Sequence, residues 1–207
     1  MSKEEEYTTK FIEALTNYDT RTMEDIVLQY PDIVHSNYQS MNIILILAAH
    51  GENDILDFII NKQKISIKDI KPYVETPNKK LGELEKFGFG QSLGKWINNA
   101  EKSMLETRCK TLTILYGAID MDTLDASGSN LLLTQIDKYN FVIVKHLIGL
   151  GVNLKQRVKA FRKTLSYREY AGEVYNVTTN QDGLTRLNKI ITVIKDAELE
   201  EFRKNNQ

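Results

Sequence analysis

This 207-residue chain is short of cysteine, glycine and proline, and of charge of either sign in excess. Its one cysteine, Cys109, can close no internal disulfide and completes no thiolate zinc cage, which excludes a disulfide scaffold and a zinc finger. Eleven glycines and three prolines are too few for a fold of many short strands and tight turns. Basic residues number 27 and acidic residues 28, and a net charge of −1 argues against a surface built throughout to hold nucleic acid. The longest apolar run, Ile43 to Ala49, falls far below the roughly 20 residues that span a bilayer. The opening Met1-Ser2-Lys3-Glu4-Glu5-Glu6 has neither the basic start nor the apolar stretch of a signal peptide, so the expectation is a cytoplasmic chain with no membrane contact. The rest is ordinary. With 42% apolar and 27% charged residues, the composition is that of a globular protein able to bury a sizeable core.

Repeats organise the sequence. From Asp125 to Lys155 an Asp-x-x-Gly turn at Asp125 and Gly128 precedes a short apolar helix near Asn130 to Ile136. A polar break follows at Asp137 to Asn140. The next helix carries Ile143, Val144, Leu147 and Ile148, one apolar stripe at helical spacing. Gly151 ends it, as a residue free to take positive φ should. Earlier, Tyr18-Asp19 precedes a helix with Met23, Ile26 and Val27, and Gly51-Glu52 precedes one with Leu56, Ile59 and Ile60. Ile26-Val27 maps onto Ile59-Ile60 at a shift of 33 residues, and the same step back from Leu147-Ile148 gives Ile114-Leu115. A last helix begins near Ala171-Gly172, and a closing helix carries Leu187, Ile190, Ile191 and Ile194.

The stretch from Asp125 resembles one ankyrin repeat. Asp125, Gly128, Leu132, Ile143-Val144, Leu147-Ile148 and Gly151 fall at that family's offsets. Leu47-Ala48-Ala49-His50-Gly51 and Gly117-Ala118-Ile119-Asp120 are similar to its Ala-Ala-x-x-Gly and Gly-Ala-Asp segments. Departures are clear too: Asn130-Leu131-Leu132-Leu133 stands where the family has Thr-Pro-Leu-His, and Gln135-Ile136 where it has an alanine pair. The resemblance implies an all-α fold, a short ankyrin-like helical-repeat solenoid with irregular insertions. One domain, 1–207, would hold repeat-like units at about 8–34, 37–65, 94–120, 125–155 and 163–205. Two stretches exceed the period: an insertion at about 62–93, holding Pro72, Pro77 and glycines 82, 88, 90 and 94, and a second excess near 173–182.

Candidate chemistry is thin. Gly88-Phe89-Gly90-Gln91-Ser92-Leu93-Gly94-Lys95 lacks the first glycine and the Ser/Thr of a phosphate-binding loop, and reads instead as an entry into a helix at Lys95. Its Phe87 and Phe89 either fold onto the core or face a partner. His35, His50 and His146 stand apart from other ligand types, so no metal site is expected. Arg108 and Lys110 flank Cys109 and could lower its pKa, but no histidine lies near in sequence to act as its base. No cofactor or catalytic residue is expected. What the resemblance implies is a non-catalytic module that binds a protein partner, or a second copy of itself, through repeat turns, the concave face and the 62–93 insertion. The candidate partner-binding residues are Tyr38, Gln39, Phe87, Phe89, Trp96, Asp122 and Asp125. The alternative is a nucleic-acid-binding protein using the basic 155–168 patch, where Lys155, Arg157, Lys159, Arg162, Lys163 and Arg168 interleave with Phe161 and Tyr167.

Overall fold

Helices in this chain begin where a short polar side chain can accept from the first free amides. Ser2 and Ser166 make reciprocal caps with Glu5 and Glu169, and Asp19, Asn42, Asn130 and Asn180 cap four further helices. The structure, a computed structural model, describes residues 2–76, 80–98 and 104–206. Among these residues the chain is mainly helical. In order, the helices are α1 (Lys3–Thr16), α2 (Thr20–Gln29), α3 (Ile43–His50), α4 (Asn53–Asp57), α5 (Phe89–Asn98), α6 (Leu105–Leu115), α7 (Leu131–Asp137), α8 (Phe141–Leu150), α9 (Tyr167–Val177) and α10 (Gln181–Asn205). A wider helical turn, Phe58–Lys62, prolongs α4.

Packing sorts the helices into two rows. In one, α3 lies on α5, α5 on α7 and α7 on α9. In the other, α2 lies on α4, α4 on α6, α6 on α8 and α8 on α10. Rungs between the rows are α1 on α2, α3 on α4, α7 on α8 and α9 on α10. The stripes read from the sequence supply the glue. Met23, Ile26 and Val27 of α2, Ile143, Val144 and Leu147 of α8, and Leu187, Ile190 and Ile194 of α10 are all buried. Neighbours on several sides of α7 bury every residue from Leu131 to Ile136. The outer partners of the expected pairs sit higher: Ile60, Ile114 and Ile148 are half-buried at the edge of the core.

Among the described residues one backbone turn joins consecutive helices three times, and the same turn closes α8 at Gly151. Tyr18, Gly51 and Tyr139 each take a left-handed conformation, at φ of 56°, 77° and 55°. In each case the next residue's amide reaches back five positions: Asp19 to the Ala14 carbonyl, Glu52 to Leu47, and Asn140 to Gln135. This is the paired bonding that closes a helix and turns the chain into its neighbour. Glycine makes it without strain at position 51, while two tyrosines accept the left-handed region elsewhere.

The two short hairpins were not foreseen. β1 (Asn37–Tyr38) pairs with β2 (Met41–Asn42), and β3 (Val158–Ala160) pairs with β4 (Lys163–Leu165), both antiparallel. Their central residues, Gln39-Ser40 and Phe161-Arg162, all have positive φ, the geometry of the two-residue turn that matches strand twist.

Three expectations about segments are corrected. First, the helix expected from about Gly94 starts at Phe89, so the glycine segment is mostly helical. Gly90 and Gly94 let α5 close on its neighbours: a Cβ at Gly90 would meet the Met121 carbonyl oxygen at 2.8 Å, and one at Gly94 would meet Thr134 Cγ2 at 2.9 Å. Second, the excess near 173–182 is largely helix, since α9 runs to Val177 and α10 opens at Gln181. The real addition to that unit is the β3–β4 hairpin. Third, the 62–93 insertion is partly core. Ile67, Ile70 and Leu81 are buried, Met41 bridges to Tyr73, and Asn42 N–H donates to the Pro72 carbonyl. Pro77 lies outside the described residues.

Candidate functional site

Three of the named candidates converge. On α1, Ile12, Leu15 and Thr16 form a stripe at i, i+3 and i+4 that recurs on α3 as Ile46, Ala49 and His50. The two stripes face a common groove of about 480 Å³, which Met41, Tyr38 and Gln39 of the first hairpin and Trp96 of α5 also line. Tyr18 stands at the same groove, 80% exposed, while Tyr38 and Trp96 are each a little under two-fifths exposed. No Asp, Glu, Lys or Arg among the described residues lines it. The groove therefore offers apolar surface and aromatic rings, chemistry that suits the anchoring side chain of a partner. The α1 and α3 stripes were legible in the sequence as one spacing repeated, but their outward direction was not.

The other candidates sit elsewhere. Phe89 is a correction: its ring is 4% exposed and belongs to the core, because the helix that begins there turns it inward. Phe87 is half-buried beneath the Lys95 ammonium, which lies 3.4 Å from the ring centroid. Asp122 and Asp125 are partly exposed, but their carboxylates serve the fold. Asp122 Oδ2 accepts from the Tyr116 hydroxyl and the Asn153 amide. Asp125 Oδ1 accepts from the amides of Ser127 and Ser129, and its Oδ2 takes the Gly88 N–H at 2.7 Å.

Asn130 was overlooked as a buried organiser. Its oxygen caps α7 at the Leu133 amide, and its nitrogen donates to the Asp122 carbonyl and the Tyr167 hydroxyl. Asn42 does the same at α3, accepting from the Ile44 amide and donating to the Val34 carbonyl. The signal was present as Asn42-Ile43-Ile44-Leu45 against Asn130-Leu131-Leu132-Leu133. Burial pushes the Tyr167 phenol up to about 12, against the lowering effect of the Asn130 bond.

Among the described residues, nothing around Cys109 activates it. Burial and the nearby Glu106 carboxylate raise its pKa, which favours the neutral thiol. Arg108 turns away into the core, 5% exposed, and donates to the Ala48 carbonyl at 2.7 Å, at the C-terminal end of α3. Among the described residues, no three His, Cys, Asp or Glu side chains come together as a metal site would need, and no helix is long and apolar enough to cross a membrane.

No protein-family model, curated protein or solved structure matches this chain. The sites therefore stand on their geometry alone. In the basic 155–168 patch, Lys155, Arg157, Lys163 and Arg168 are paired with Glu201, Glu169, Glu173 and Glu198. Lys159 and Arg162 remain, on the β3–β4 hairpin beside the 43% exposed Phe161. Each pair has an exposed cation, with Glu173 and Glu198 only partly exposed, and is worth little to stability, but together they offset much of the positive field a phosphate backbone would meet.

Proposed function

We propose that the chain is a short ankyrin-like helical-repeat solenoid that works without catalysis, as a module binding a protein partner. The recurring left-handed turns at Tyr18, Gly51 and Tyr139 and the two helix rows support the repeat reading. The observation that carries the functional reading is the aromatic-rimmed groove, free of Asp, Glu, Lys and Arg among the described residues, that Tyr38, Gln39 and Trp96 share with α1 and α3. Concave, mainly apolar surface with a few convergent polar groups is where a binding site is first sought. The test is photo-crosslinking in cells, with a crosslinking residue placed at position 38, 96 or 177. Position 177, on exposed Val177 of α9, is the control. Positions 38 and 96 should capture one and the same protein, which position 177 does not. No capture at 38 and 96, or equal capture at all three, would reject the reading.

A further inference from the structure

Resting on that reading, we infer that the groove between α1, the first hairpin, α3 and α5 takes a basic segment of its partner, anchored by an apolar side chain. The anchor follows from the lining, which is mainly apolar and aromatic and, among the described residues, includes no Asp, Glu, Lys or Arg beside its Thr16, Gln39 and His50. An ion pushed into such a groove would lose its water without gaining a counter-charge.

The basic flanks follow from how charge is distributed. Residues 1–60 carry eleven acidic and three basic side chains, leaving 17 acidic and 24 basic in the rest of the chain. The balanced total thus conceals an acidic first 60 residues and a basic remainder. Internal pairing does not cancel the acidic segment: among the described residues, the one ion pair made by its carboxylates is Glu6 with Lys10. The basic patch near the other end behaves in the opposite way, with four of its cations held by glutamates. Along the chain Glu13 follows Ile12 and Glu52 stands two positions after His50, while Lys95, next to Trp96, is turned over the Phe87 ring. At physiological salt the screening length is about 8 Å, so cations flanking a docked anchor gain from any carboxylate within that reach, while the field of the whole acidic segment speeds the encounter. An acidic segment would meet repulsion, and a neutral one would gain no steering.

The test begins with random linear peptides displayed on phage and selected on the intact chain. Enriched peptides are then made with a dye label, and their binding is followed by anisotropy. The expected peptides carry Lys and Arg around a Leu, Ile or Phe. Ile46→Arg should weaken their binding by at least about tenfold, or about 1.4 kcal/mol. Trp96→Ala should do the same, and it covers the case in which Ile46→Arg fails to fold, which circular dichroism would reveal. The double change Glu13→Gln, Glu52→Gln should weaken binding at low salt, and this loss should fade at high salt. Enrichment of acidic or uncharged peptides would overturn the inference, as would the absence of any enrichment. So would binding indifferent to both groove variants, though that outcome leaves the interaction-module reading intact. Sedimentation of the chain alone provides the last arm: a concentration-dependent dimer abolished by Ile46→Arg would assign the groove to a second copy instead.

Discussion

Replacing Gly90 with alanine sets two effects of known sign against each other. In a helix interior alanine is favoured over glycine by about 1 kcal/mol, because glycine loses more backbone freedom on folding. At Gly90 the added methyl would sit 2.8 Å from the Met121 carbonyl oxygen and 3.2 Å from the Leu131 amide nitrogen. Both are backbone atoms, so no side chain can swing aside. Forced overpacking of this kind costs about 1–3 kcal/mol, so with the alanine gain set against it the expected net effect of Gly90→Ala is a loss of up to about 2 kcal/mol. The molecule contains its own control. Gly172 lies inside α9, and a Cβ there would meet nothing within 4 Å. Gly172→Ala should therefore keep the propensity gain and stabilise by about 0.5–1 kcal/mol. Urea unfolding of both variants, with the slope checked for constancy, gives the two signs. Midpoints that move in the same direction would refute the close approach of α5 to the 121–131 segment.

Leu147→Ala should cost about 2–5 kcal/mol, since this side chain is 1% exposed and its loss leaves a cavity between α8 and its neighbours; an unchanged melting curve would contradict the packing. Asn130→Ala should cost about 1–3 kcal/mol, because it removes a helix cap and strips a hydrogen-bond donor from the Asp122 carbonyl and the Tyr167 hydroxyl; the urea midpoint reads it. Tyr167 provides a pH signature. Its pKa rises on folding from 10.0 to about 12, so the folded state keeps a proton that the unfolded chain releases. Its contribution is complete below pH 10 and is lost as pH rises toward 12. Urea midpoints over that range should fall less steeply in Tyr167→Phe, and an equal slope in both proteins would contradict the assignment.

Helix stripes were readable because burial on one side leaves a period of 3.6 in the sequence, as at Ile143, Val144 and Leu147. The hairpins were not, because Gln39-Ser40 and Phe161-Arg162 stand where Asn-Gly would have announced such turns. Helix α5 was misplaced for the opposite reason: Gly90 and Gly94 look like loop residues until a second helix is seen lying against them. Tyr38, Gln39 and Trp96 were legible as candidates from turn position and aromatic character. Nothing local told Phe87 from Phe89, since which ring turns inward depends on where the helix starts. The carboxylates of Asp122 and Asp125 looked available because their acceptor duties lie with residues far off in sequence, such as Asn153 and Gly88.

The described residues between α4 and α5 strap the chain at two points. About midway Tyr73 is bridged to Met41, ahead of α3, and at the end Gly88 is tied to Asp125, ahead of α7. Helix pairs that touch only their sequence neighbours can peel from the ends like a zip, each step costing one interface. A strap anchored ahead of α3 and ahead of α7 removes that freedom from everything between. Opening α5 alone would leave a closed loop with both ends still held, so little chain entropy is recovered until an anchor breaks. If the proposed repeat arrangement holds, the middle of the molecule is expected to open in one cooperative step, with α1–α2 and α9–α10 freer to fray. Groove and strap meet at the first hairpin, where Tyr38 and Met41 line one and Met41 holds the other. A partner seated in the groove would then brace the same unit that the strap closes.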